Sequence, residues 1–176
     1  MSGPLEWNEV REGDAVTPLV VDVTATKIVA GAIATRDFMP VHHDREYANA
    51  QGAPDIFMNI LSSNAYCSRF LTDWAGPEAM VRRVSIRLGV PVFPGSTLTF
   101  TGTVTGMSEA GGEGLVDVEF RAATELGDHL TGTAVLGVPA DGRKTTSGDA
   151  IATDEGGEAP CFAHRLDEPP DVDPPP

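Results

Sequence analysis

Between residues 81 and 138 the chain keeps a period of two through four successive segments, VRRVSIRLGV, TLTFTGTVTG, GLVDVEFRAATEL and HLTGTAVLGV. Such alternation sends apolar side chains to one face and polar ones to the other, the pattern of half-buried strands. Pro94-Gly95, Gly111-Gly112 and Gly127-Asp128 punctuate the segments as turns. Links of hairpin length make successive strands antiparallel neighbours. A sheet of this kind must bury its apolar face against something. The stretch DIFMNILSSNAYCSRFLTD, residues 55–73, is the longest helical candidate. Ile56, Ile60, Cys67 and Leu71 mark one apolar stripe, with Phe57, Leu61 and Phe70 beside it. The stripe is broad, so the helix is expected to be wrapped by other structure.

Upstream, a first strand is expected at about 18–24. Thr24 or Thr26 then opens a short helix, KIVAGAIA, at about 27–34. That makes five strands and one long helix, an α+β layout. An antiparallel sheet curled around a single helix leaves its edges open, and an open edge invites a partner, so an oligomer is expected.

Composition shifts after about Pro139. The segment ADGRKTTSGDAIATDEGGEAPCFAHRLDEPPDVDPPP is rich in Gly, Pro, Asp and Glu and carries little apolar surface to offset the entropy of ordering. The expected division is a folded domain at 1–139 and a disordered acidic tail at 140–176. A formal net charge of −14 argues against nucleic acid and anionic membrane as partners, since both need a basic face. No apolar run reaches the length of a membrane span. The opening MSGPLEWNEVREGD is polar, without a leader core. Two cysteines, Cys67 and Cys161, make no disulfide framework, which points to a reduced, cytoplasmic setting.

Between the two short helices lies RDFMPVHHD, residues 36–44. Aspartate and histidine move protons, bind metals and cap helices. Asp37 and His42 are five apart, and Pro40 restricts the backbone between them and disfavours helix at Met39. A fixed turn presenting both side chains to one pocket is therefore plausible, although a lone Asp and His in a loop more often serve the surface or the structure. His43 points away from its neighbour and reads as solvent-facing or helix-packing. Asp44 reads as the N-cap of a short helix, REYANA, which Gly52 terminates. His42, His43 and Asp44 are too close along the chain to converge on one metal ion.

Asp37-Phe38-Met39-Pro40-Val41-His42-His43-Asp44 resembles the signature of the MaoC-like hotdog proteins, the (R)-specific enoyl-CoA hydratase family, at Asp37, Pro40, Val41, His42 and Asp44. Similarity continues through EVREGDAVTPLVVDVTATKIV upstream and IRLGVPVFPGSTLTFTGTV downstream, covering about residues 6–138. ATRDF-x-x-VHHDR, QG-x-x-DIF-x-NIL, TDWAGP and RLGVP further resemble the small MaoC-like subunit of actinobacterial heteromeric hydratases of steroid side-chain degradation. The resemblance implies a hotdog fold, with the five-stranded sheet wrapped around the long central helix. It also implies an enoyl-CoA substrate with a steroid ring system, and a second MaoC-like chain fused to an OB-fold domain as partner in a hetero-oligomer. No cofactor is implied, because CoA is part of the substrate.

Hydrating a 2-enoyl-CoA needs a water deprotonated as it attacks C3, a proton delivered at C2, and donors that hold the thioester oxygen. The resemblance makes Asp37 and His42 the catalytic pair, with Asp37 as base towards the water and His42 orienting it and sharing the proton. It places the backbone N–H of Asn59 at the oxyanion and brings Met58 and Pro40 to the substrate pocket. The chain departs from the family pattern at three places. Arg36 stands where Gly is usual, Met39 where Asn is usual, and Met58-Asn59 where His-Gly is usual. Simple helix packing is the competing reading of Met58 and Asn59. Two other functions fit the same fold. One is a non-catalytic subunit that shapes a partner's acyl-CoA site. The other is an acyl-CoA thioesterase, for which Asp55 at the helix start is the only internal acid, and Asp55 there is better explained as a cap.

Overall fold

The period-two segments form one antiparallel sheet. A computed structural model describes residues 5–140. The strands are β1 (Ala15–Asp22), β2 (Met80–Leu88), β3 (Thr97–Ala110), β4 (Glu113–Thr124) and β5 (Gly127–Pro139), in the spatial order β1-β3-β4-β5-β2. Along β4 the alternation is regular, with Val116, Val118, Phe120 and Ala122 buried and Glu119 and Arg121 exposed. Gly111 and Gly112 join β3 to β4 with φ of 63° and 79°, the paired positive values that a tight primed turn requires. The expected tail, from residue 141 on, lies outside the described residues. Among the described residues no helix is long and apolar enough to cross a membrane.

Successive strands pair at β3–β4 and β4–β5, but β2 and β3 do not pair, contrary to expectation. β2 lies against β5, with Val84 opposite Ala134, and β3 lies against β1, with Phe100 opposite Leu19. The link 89–96 contains Pro91 and Pro94, which cannot donate to a ladder, and it carries the chain from one edge to the far side of the sheet. The first strand starts at Ala15, earlier than expected. Pro18 sits at a register shift between Val16 and Leu19, which an edge strand tolerates.

Three helices follow from the chain's own signals. α1 (Ala25–Ala34) is capped by Thr24, whose hydroxyl accepts from Lys27 N–H. α2 (Arg45–Ala50) is capped by Asp44, whose carboxylate accepts from Tyr47 N–H at 3.0 Å, as expected. α3 spans Ile60–Ala75, not 55–73, and its N-cap is Asn59. Residues 55–59 lie outside the helix because backbone donors there are committed elsewhere, Phe57 N–H to Val41 O and Met58 N–H to Val92 O. Ile56 and Met58 are buried with half-buried Phe57 between them, a period of two that the helical reading overlooked. α3 is also not wrapped on all sides within this chain. Ser63, Cys67, Phe70, Leu71 and Ala75 are buried, whereas Ile60 is 47% and Leu61 44% exposed. The buried face lies on the sheet, where Phe70 stacks on Phe100 with centroids 5.7 Å apart and approaches Phe120 at 6.1 Å. Truncating such a buried ring typically costs about 3–5 kcal/mol. This packing seats α3 on the sheet, and its first residues form part of the site.

Candidate active site

Asp37 is placed by the end of α1. The helix closes with Arg36 N–H donating to Ile33 O and Asp37 N–H donating to Ala32 O, the paired bonds of a Schellman cap. That cap needs a left-handed residue before Asp37, and Arg36 takes the role with φ of 56°. The departure from the usual Gly is thus a substitution in a position where Gly is the unstrained residue. The chain then extends through Met39 (ψ 125°), as a residue preceding proline should, and tightens into a 3-10 turn at Pro40–His42.

His42 is 7% exposed. Its Nδ1 lies 2.7 Å from Phe57 O, and a carbonyl only accepts, so Nδ1 carries the proton. Nε2 therefore faces Asp37 Oδ2, at 3.4 Å. The Phe57 ring meets the imidazole edge-on, with centroids 5.1 Å apart. These contacts hold the ring in one orientation, its free nitrogen towards the carboxylate.

Asn59 completes the arrangement. Its side-chain carbonyl accepts from Ser62 N–H at 3.1 Å, and its amide donates to Asp37 Oδ2 at 3.0 Å and to Thr35 Oγ1 at 2.9 Å. The amide's donation holds the Asp37 carboxyl below the usual carboxylate range against the opposing effect of burial, with smaller help from Met39 N–H and His42. The Asn59 N–H has no backbone acceptor among the described residues, and it stands at the positive end of α3. Beside Thr35, a cleft of about 250 Å³ opens between α1 and α3, lined in part by Gly31, Ser62 and Tyr66.

The structure thus brings Asp37, His42 and Asn59 together, with half-buried Pro40 between the first two in the chain. His43 is exposed, as expected. Met58 is 5% exposed and belongs to the buried core cluster, its N–H donating to Val92 O. Asp55 is not a helix cap. It forms a bidentate pair with Arg45, both contacts at 2.9 Å, five residues before α3 begins. Three features escaped the sequence reading. One is the Asn59 side chain, since only its backbone drew notice. Another is Phe57 O, which no side-chain pattern reveals. The third is a buried pair, Ser63 Oγ and His129 Nε2 at 2.8 Å, one helical turn beyond Asn59. Cys67 offers no nucleophile, because burial pushes its thiol up to about 12.

Residues 9–126 match the MaoC-like domain. The chain belongs to the MaoC-like domain family. Among its MaoC-like relatives is the 3-oxo-4,17-pregnadiene-20-carboxyl-CoA hydratase beta subunit of Mycobacterium tuberculosis, 48% identical over 111 residues, which are 63% of this chain and 83% of that protein. The crystal structure of the ChsH1–ChsH2 complex from the same organism contains a chain 43% identical, with a TM-score of 0.69, covering 73% of this chain and 98% of that one. The (R)-hydratase of A. caviae involved in PHA biosynthesis shares the MaoC-like fold at 23% identity and a TM-score of 0.68, covering 74% and 98%. The hotdog architecture implied by the sequence is therefore the architecture found.

Proposed function

We propose that this chain is the catalytic subunit of a heteromeric enoyl-CoA hydratase that adds water across the 2,3 double bond of a steroid side-chain thioester. The observation that carries the reading is the pair Asp37 Oδ2 and His42 Nε2, 3.4 Å apart with the imidazole locked by Phe57 O. Two acceptors so placed receive both hydrogens of one water and leave its lone pair free. As the water oxygen bonds to C3, its proton passes to Asp37. His42 orients the water and shares the proton, and the pair returns one proton to C2. The charge that develops on the thioester oxygen falls to the N–H of Asn59 and the positive end of α3. Pro40 is assigned to the pocket wall. Water addition is redox-neutral, so the reading calls for no cofactor.

The substrate class and the partner rest on relatives. The beta subunit named above is a hydratase of a steroid carboxyl-CoA, and the solved relative belongs to a two-chain complex. A second chain of that kind would cover the exposed Ile60 and Leu61 beside the site. The thioesterase reading loses its acid, because Asp55 lies off the helix and is held by Arg45. An intact Asp37–His42 pair speaks against a purely non-catalytic subunit. The test is loss of the conjugated-thioester absorbance when the chain and its partner are given an enoyl-CoA bearing a steroid ring system. General acid–base groups contribute about 10²–10⁴-fold, so Asp37→Asn and His42→Ala should each lower kcat by that order. Turnover unchanged by both substitutions would refute the assignment.

A further inference from the structure

We propose that the Asn59 side chain is a positioning residue for Asp37, one amide that caps α3 and grips the proton-handling carboxylate, so that the acid–base pair and the carbonyl-polarising helix start are held as one unit. The inference deepens the hydratase reading and rests on it.

The orientation of the amide is forced by its neighbours. Ser62 N–H can only donate, so Oδ1 faces it, and Asp37 as a carboxylate can only accept, so Nδ2 faces that. Thr35 adds a second acceptor, its own hydroxyl proton being given to Gly31 O at 2.8 Å. Asn59 is 1% exposed, so the amide is enclosed on its partners. The amide's three partners belong to three different parts of the chain. Thr35 ends α1, Asp37 follows it, and Ser62 lies in the first turn of α3. A shift of α3 therefore carries Asp37 with it, which keeps the water-gripping oxygen and the helix-end N–H groups in register across one substrate.

The same oxygen, Oδ2, receives the Asn59 amide and faces His42 Nε2. His42, from the 3-10 turn, is the titratable group facing Asp37. α1 and α3 present Thr35 and Asn59, both uncharged. Donation to Oδ2 favours the ionised carboxylate, the form that accepts a proton from water. Asp at position 59 would cap α3 equally well but set a carboxylate against a carboxylate. Ser would cap it and leave Asp37 ungripped.

The experiment compares Asn59→Ser and Asn59→Asp with the unaltered chain, each in complex with its partner. Kinetics use an enoyl-CoA bearing a steroid ring system across a pH series, and the Asp37 carboxyl carbon is titrated by carbon-13 NMR. Asn59→Ser is expected to melt near the unaltered complex and to lose about tenfold or more in kcat, with KM changed less than about threefold. Asn59→Asp is expected to raise the acid limb of kcat/KM by about one pH unit or more, with the Asp37 titration moving the same way. An acid limb and an Asp37 titration that stay in place in both variants would overturn the proposal. Should Asn59→Asp fail to fold, Asn59→Ser decides by the same readouts. If the unaltered complex does not hydrate the thioester, the hydratase reading fails, and the NMR titration alone still decides whether Asn59 governs Asp37.

Discussion

Ser63→Ala, one turn into α3, tests the buried contact that ties the helix carrying Asn59 to the sheet. His129 is 3% exposed near the start of β5, and its Nδ1 is 2.7 Å from Val90 O, which accepts only. Nδ1 thus holds the proton, and Nε2 accepts from the Ser63 hydroxyl at 2.8 Å. Ser63 is fully buried, so removing its hydroxyl strands Nε2 away from water. An unsatisfied buried acceptor costs about 1–3 kcal/mol. His129→Phe removes the acceptor altogether, and Ser63 can then donate to Asn59 O at 3.2 Å. Adding Ser63→Ala to His129→Phe should therefore cost at most about 0.5 kcal/mol, and the cycle should show a coupling of about 1–2 kcal/mol. The small helix-propensity gain from Ser to Ala cancels around the cycle. Urea unfolding followed by circular dichroism at pH 8 reads all four corners. Coupling within about 0.5 kcal/mol of zero would mean the two side chains do not interact.

The same histidine sets a pH dependence of stability. Burial holds His129 below its ordinary range, with partial opposition from the Val90 bond. The unfolded ring takes up a proton near pH 6.5 that the folded ring refuses. The stability present above that pH is therefore lost as pH falls towards the lower folded value, by at most about 1.4 kcal/mol per pH unit for one group. His129→Phe should flatten that slope, and a slope unchanged by the substitution would show that another group causes it.

Substitutions at two further positions probe the loop that carries the pair. Asp44→Ala strips the cap from α2 and should cost about 1 kcal/mol in urea unfolding, while Asp44→Asn should restore most of it. Arg36→Gly should relieve the left-handed strain at φ 56° and raise stability by about 0.5–1 kcal/mol with kcat unchanged; a loss would show that the arginine side chain makes a stabilising contact.

The strands were legible because alternation is local: a residue and its second neighbour share a face wherever the chain is extended. Caps were legible at Asp44 and, as one of two candidates, at Thr24 for the same reason, since the side chain reaches a backbone donor three residues on. Strand partners were less so. The turn at Gly111-Gly112 marks the β3–β4 hairpin, but nothing in 89–96 says that β2 will lie beside β5. The start of α3 was misplaced because the partners that hold 55–58 out of the helix, Val41, Arg45 and Val92, are distant in the chain.

The sequence by itself determined the sheet-and-helix makeup, the turn around Pro40 and the presence of an Asp and a His five apart. Tertiary structure alone decided that Phe57 O sets the His42 tautomer, that Asn59 caps α3 and grips Asp37, that Met58 turns inward, and that Ser63 finds His129 sixty-six residues away. A periodicity or a cap depends on neighbours within a turn. A hydrogen bond between elements depends on where the core packing of Phe70 against Phe100 sets the helix on the sheet, and that is a property of the whole chain.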